Sequence, residues 1–165
     1  MGLVPNERVW TKFRRGDAPA PDAPTSLAIE PVTRATALDF GRAVAAGFGM
    51  PEALAPWLAA LVGRPGWHAY LARDGAAVVG GAAMYLEGDG AWLGIGAVQA
   101  AARRKGGQGA LLARRLAEAL KQGARWFATE TGKPLPGEPH PSFSNIQRAG
   151  FEIAYERANW MLPPP

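Results

Sequence analysis

At 165 residues, with 48% hydrophobic and 19% charged side chains, the chain has the length and composition of one globular domain and not of a disordered segment. It has no cysteine and two histidines, which excludes disulfides, thiolate metal sites and a cysteine acyl-enzyme, and no metal is expected. The net charge of +4 favours an anionic ligand, and no apolar run reaches the roughly 20 residues of a membrane-spanning helix.

In chain order, residues 9–13 (Val-Trp-Thr-Lys-Phe) alternate as a short strand and are followed by the proline-rich connector 16–24. Two readings fit this start: an unattached tail, or an extra strand tethered to the sheet of its own or a neighbouring subunit. Residues 26–32 read as a strand, 35–47 as a helix, and 51–62 as a second helix opened by Pro51. Strands at 67–72 and 76–86 flank an Asp74-Gly75 turn, and a turn at 87–90 leads into a strand at 91–98. A helix over 106–122 stops at Gly123. Its leucines at 112, 116 and 120 face the core, with Arg114, Arg115, Glu118 and Lys121 expected on a solvated face. The strand 126–131 should lie parallel to 91–98, because a long helix joins them. After a Gly/Pro-rich loop at 132–141 come a short helix at 142–149 and a last strand at 151–160.

The informative stretch is Val98-Gln-Ala-Ala-Ala-Arg103-Arg104-Lys105-Gly106-Gly107-Gln108-Gly109-Ala110. An apolar strand ends, three cations and a glycine cluster follow, and an amphipathic helix begins. Unpaired N–H groups at a helix start, beside cations and without Cβ atoms in the way, seat a phosphate or pyrophosphate. A P-loop needs Lys-Ser or Lys-Thr after its glycines, and neither Lys105-Gly nor Lys133-Pro supplies it. The Gly94-Ile-Gly96-Ala-Val-Gln99 stretch lacks the third glycine of a dinucleotide motif. A nucleic-acid binder would spread its cations and interleave aromatics, so nucleic acid is not the expected partner.

The stretch resembles the coenzyme A cradle of the GNAT N-acetyltransferase superfamily: Arg or Gln, two residues, Gly, one residue, then Gly or Ala. Two registers fit. One runs from Arg104 through Gly107 to Gly109; the other runs from Arg103 through Gly106 and puts Gln108 at the second small position. The second keeps the usual spacing from Val98 and is preferred. Ser142-Phe-Ser-Asn145-Ile-Gln-Arg-Ala-Gly150-Phe151 resembles the closing helix-to-strand motif, and the element order from 26 to 160 also matches.

The resemblance implies an α/β (α+β) fold, with a mixed central sheet, a V-shaped splay between strands 91–98 and 126–131, and about four flanking helices. Residues 1–25 would be the N-terminal strand and connector, and 26–161 the acyltransferase domain. Gly94 and Gly96 suit a bulge or a close backbone approach, or else packing beneath Trp92 and Trp126. The implied activity is acyl transfer, most simply acetyl from acetyl-CoA or another acyl-CoA, to the primary amine of a small molecule or peptide by direct attack. A non-catalytic acyl-CoA sensor or interaction module is the alternative.

The residues implied to hold the cofactor are Ala97, Val98, Arg103, Arg104, Lys105, Gly106, Gly107, Gln108, Gly109, Ala110 and Asn145. Glu130 is the candidate base or amine-orienting carboxylate; Ile146 stands where many relatives carry a tyrosine, so the thiolate leaves unassisted, with water, or with Tyr155 or a serine of 142–144 as the candidate acid. The acceptor pocket is expected to be lined by Phe48, Met50, Trp57 and His140. His68 is expected to be a half-buried histidine without a chemical role. A sheet short of its usual last strand hints at completion by the N-terminus or by a homodimer partner. Without a secretory h-region or membrane span, the expected location is cytoplasmic.

Overall fold

The computed structural model describes residues 2–163. The strands are β1 (Val4–Pro5), β2 (Trp10–Arg15), β3 (Ala28–Pro31), β4 (Trp67–Asp74), β5 (Ala77–Glu87), β6 (Gly90–Trp92), β7 (Gly96–Val98), β8 (Trp126–Gly132), β9 (Glu152–Arg157) and β10 (Trp160–Met161). The helices are α1 (Ala37–Phe48), α2 (Ala55–Ala59), α3 (Gly107–Lys121) and α4 (Pro141–Arg148). The main sheet runs β3-β4-β5-β6-β8-β2-β9, with β7 on β5, and β1 pairs with β10 apart from it. Among the described residues only β6 and β8 pair in parallel, and α3 is the crossover between them. Among the described residues no helix is long and apolar enough to cross a membrane.

Two apolar layers hold the sheet. On one face Leu112 and Leu116 of α3 and Ile146 of α4 pack on Phe13, Leu93, Phe127 and Phe151. On the other, Phe40 and Val44 of α1 and Leu58 of α2 pack on Leu71 and Ala83. Gly81 inside β5 follows from that second contact. A Cβ on Gly81 would stand 2.8 Å from the Phe40 ring, so only glycine lets α1 lie this close.

The N-terminal strand joins the sheet of its own chain. β2 lies between β8 and β9, antiparallel to both, with Lys12 opposite Glu130 on one side and Tyr155 on the other. Phe13 is 2% exposed, a burial worth about 2–3 kcal/mol. The proline-rich connector is anchored as well. Buried Arg15 donates to Gly16 O (3.3 Å) and Pro19 O (2.5 Å), and Thr25 Oγ1 donates to Lys105 O (2.6 Å). Arg15 therefore caps carbonyls and is not a cation for an external anion. The connector ends against the start of α3.

Candidate active site: a cleft and an inner pocket

Gly106 is the N-cap of α3, left-handed at φ 77°, and a Cβ there would stand 2.2 Å from Pro24 O. Glycine is thus demanded twice, by backbone conformation and by the connector. Arg104 is also left-handed, at φ 67°, and is the one non-glycine residue with positive φ among the described residues. Such a conformation costs of order 1–3 kcal/mol and clusters at functional sites. Ala110 N donates to Gly106 O (3.0 Å), closing the first helical turn. The N–H groups of 104–109 meet no acceptor among the described residues, as expected for a loop followed by the first helical positions.

Of this segment, Arg104 and residues 106–109 line an open cleft of about 1380 Å³, together with Arg103 and Arg148. Lys105 turns away and pairs with Asp74, and Ala110 is buried with its amide spent in the helix. Neither of these two expected cofactor residues lines the cleft. The connector, through Pro21 to Pro24, forms part of its wall.

The cleft leads to the parting of two strands. The last rungs between the strand from Gly90 and β8 are Leu93 N to Ala128 O (2.8 Å) and Thr129 Oγ1 to Leu93 O (2.7 Å). Beyond Leu93 the chain breaks at Gly94-Ile95 and β7 follows β5 alone. The strand expected over 91–98 is therefore two strands with a bulge between them. Gly94 is needed because a Cβ would stand 2.1 Å from the Trp92 ring.

Along β7, Ala83 N donates to Ile95 O and Gln99 N to Val79 O, each at 2.8 Å. Residues 95, 97 and 99 therefore bond β5, and the N–H groups of Gly96 and Val98 point across the splay. Ala97 and Val98 both line the outer cleft, with the amide of Ala97 turned to β5; Gly96, which is not among the residues expected to hold the cofactor, lines both cavities.

An inner pocket of about 240 Å³ fills the splay. It shares Phe48, Gly96, Gln108, Ser142 and Asn145 with the outer cleft. Gln108 spans this junction: its Nε2 donates to Ser142 Oγ (2.7 Å), and Asn145 Nδ2 donates to its Oε1 (2.8 Å). Leu93, Leu111, Leu112 and Ile146 supply apolar wall, while Trp10, Trp92 and Phe48 stand on the α1 side.

Arg115 also lines this pocket. It is 5% exposed and donates to no carboxylate among the described residues; burial lowers its pKa to about 10, so it stays charged at neutral pH. This corrects the expectation of a solvated Arg115.

No protein-family model and no curated protein matches the chain. Solved structures do match. A GCN5-related N-acetyltransferase from Sphaerobacter thermophilus aligns with TM-score 0.76 and 19% identity over 95% of this chain and 51% of that one. A GCN5-related N-acetyltransferase from Kribbella flavida aligns with TM-score 0.69 and 16% identity over 99% and 61%. A tandem GNAT protein from the clavulanic acid biosynthesis pathway aligns with TM-score 0.62 and 19% identity over 97% and 55%. This is the GNAT fold. The chain spans about half to three-fifths of the length of these three proteins.

Within the GNAT fold the expected catalytic groups fall in different places. Glu130 does line the inner pocket, where it is ion-paired with Lys12 of β2. The Lys12 pKa is lowered, by burial first and by nearby Arg157 second. Tyr155 is 59% exposed and outside both cavities, and this corrects its assignment as the acid. The inserted β2 separates β9 from β8, so Tyr155 sits two strand spacings from Glu130, about 10 Å. His140 lines the cleft, but its Nδ1 accepts from Phe143 N (3.3 Å) as the cap of α4. Phe48 reaches both cavities; Met50 and Trp57, expected beside it, reach neither.

Proposed function

We propose that this chain is an acyl-CoA-dependent N-acyltransferase that transfers an acyl group to a primary amine by direct attack. The observation that carries the reading is the continuity of one cleft. It begins at the free amides of 104–109, passes the outward N–H groups of Val98 and Gly96, and ends in the splay. The Arg103 and Arg104 side chains and the amides of Gly106, Gly107, Gln108 and Gly109 would hold the diphosphate. The amide-bearing arm would pair with β7 as a further strand, with Asn145 and Gln108 at the junction.

In the reaction the amine nitrogen bonds the thioester carbon, the carbon–sulfur bond breaks, and the thiolate takes a proton. Gly96 N–H would donate to the carbonyl oxygen as charge develops on it, a role supported by its outward direction on β7. Glu130 orients the amine and accepts its proton. Ser142, whose hydroxyl oxygen accepts from Gln108, is the hydroxyl at the junction and the candidate proton source for the thiolate.

The test is a thermal-shift titration followed by an assay of a broad amine panel. Acyl-CoA should raise the melting temperature and at least one amine should be acylated. No shift with CoA or acyl-CoA at millimolar concentration would refute the reading. Binding without transfer to any amine would favour a non-catalytic sensor, a second reading supported by the Glu130–Lys12 pair and by Ile146 at the tyrosine position.

A further inference from the structure

Arg115 lies eight residues beyond Gly107 on α3, about 12 Å along the helix axis. Its Nε donates to Leu111 O (3.0 Å), and its Nη1 donates to Ala83 O (2.9 Å) and Ile95 O (3.3 Å). Its Nη2 donates to no acceptor among the described residues. That nitrogen stands 3.2 Å from where a Cβ on Gly96 would be, at the wall of the inner pocket. The only carboxylate on the same pocket, Glu130, is already paired with Lys12.

A buried guanidinium without a countercharge opposes folding, and carbonyl dipoles offset only part of that. Leucine or methionine would fill the space without the penalty, and an acetyl group would leave Nη2 unpaired. The charge is best matched by an anion brought in by the ligand.

We propose that Arg115 makes the inner pocket selective for acyl groups that end in a carboxylate, so that the co-substrate is the CoA thioester of a short dicarboxylic acid. The inference rests on the acyl-transfer reading and names the acyl class for the same site. The acyl chain, not the acceptor, is the source of the carboxylate because of where Arg115 stands. It projects from α3, the helix that carries the cradle, to the floor beneath Gly96, whereas Trp10, Trp92 and Phe48 line the opposite, α1 side. The transfer itself is unchanged: the new C–N bond replaces the C–S bond, the amine proton reaches the thiolate, and the distal carboxylate stays ionised against Arg115.

The experiment is calorimetric binding of CoA, butyryl-CoA and succinyl-CoA to the wild-type chain and to Arg115→Met and Arg115→Lys. Butyryl and succinyl have the same chain length and differ in terminal charge. Wild type should bind succinyl-CoA at least about ten-fold more tightly than butyryl-CoA. Arg115→Met should lose that preference while binding CoA itself as wild type does, and Arg115→Lys should retain part of it. Should Arg115→Met not fold, the wild-type ratio and the lysine variant decide. Equal or tighter wild-type binding of butyryl-CoA would overturn the inference while leaving the acyltransferase reading intact. Absence of CoA binding would sink both. Dependence on Arg115 of the KM ratio between an amino acid acceptor and its decarboxylated amine, without acyl preference, would move the carboxylate to the acceptor and also overturn it.

Discussion

The two ends of the cleft recognise by different means. At the outer end of the cleft the donors are the main-chain amides of Arg104 and of 106–109, beside the Arg103 and Arg104 side chains and three glycines, with Gln108 turned to α4. At the inner pocket the main chain contributes Gly96, and the polar side chains on the wall are those of Arg115, Glu130, Gln108 and Ser142. The cradle end is therefore sensitive to adding atoms, and the pocket end to changing the chemistry of atoms already there. Under the proposed function this division makes sense: a diphosphate is common to every CoA ester, so a generic main-chain seat would serve for all of them, whereas the acyl group varies and would need side chains to be read.

The largest expected effect is at the cradle, from one methyl group. Gly106→Ala must place a Cβ at a left-handed residue and 2.2 Å from Pro24 O. A loss of at least about 2 kcal/mol in denaturant unfolding is expected, together with loss of CoA binding at millimolar concentration. Wild-type stability and affinity in this variant would mean that the connector can move aside and that the cradle is not built as described. Next comes the pocket end, where an isosteric change suffices. Glu130→Gln should lower kcat by about a hundred-fold with little change in CoA affinity, measured by steady-state kinetics beside calorimetry. Unchanged turnover would assign Glu130 only to its pair with Lys12.

Neutralising Arg103 and Arg104 together should weaken CoA about ten-fold and reduce the salt dependence of binding, without altering acyl preference. A changed acyl preference would blur the division between the two ends. The smallest effect is expected from Tyr155→Phe, whose turnover should stay within about two-fold of wild type, because the ring lies outside both cavities. A large loss there would place the leaving-group acid back on β9.

Much of the fold was legible because its signals are local. The Asp74-Gly75 turn, the leucine spacing of α3 and the glycine cluster each declare a turn, a helix and a helix start without reference to distant residues. The parallel β6–β8 pair followed from the long helix between them. What the sequence left open depends on which strand lies beside which. Alternation over 9–13 identified a strand but not its place between β8 and β9, and that place moves Tyr155 away from the site and gives Glu130 its lysine.

Which amides of β7 face the splay was not legible, because hydrogen-bond direction along β7 depends on its register with β5. Arg115 did carry a readable signal. Leu111, Arg115 and Ala119 recur every four residues along one buried row, beside Leu112 and Leu116. Its charge suggested solvent, and the periodicity was the better guide. Gln108 looked like a departure from the small-residue pattern, yet it is the side chain that joins α3 to α4 across the junction.

The central claim is that one path runs from the amides of 104–109 to the outward amides of β7. Backbone amide chemical shifts during a CoA titration test it most directly, residue by residue. The largest shifts should fall on 104–109, Gly96 and Val98, with Ala97 and Ala110 moving less because their amides are already bonded. Saturable shifts confined to another surface, or none at millimolar CoA, would contradict it.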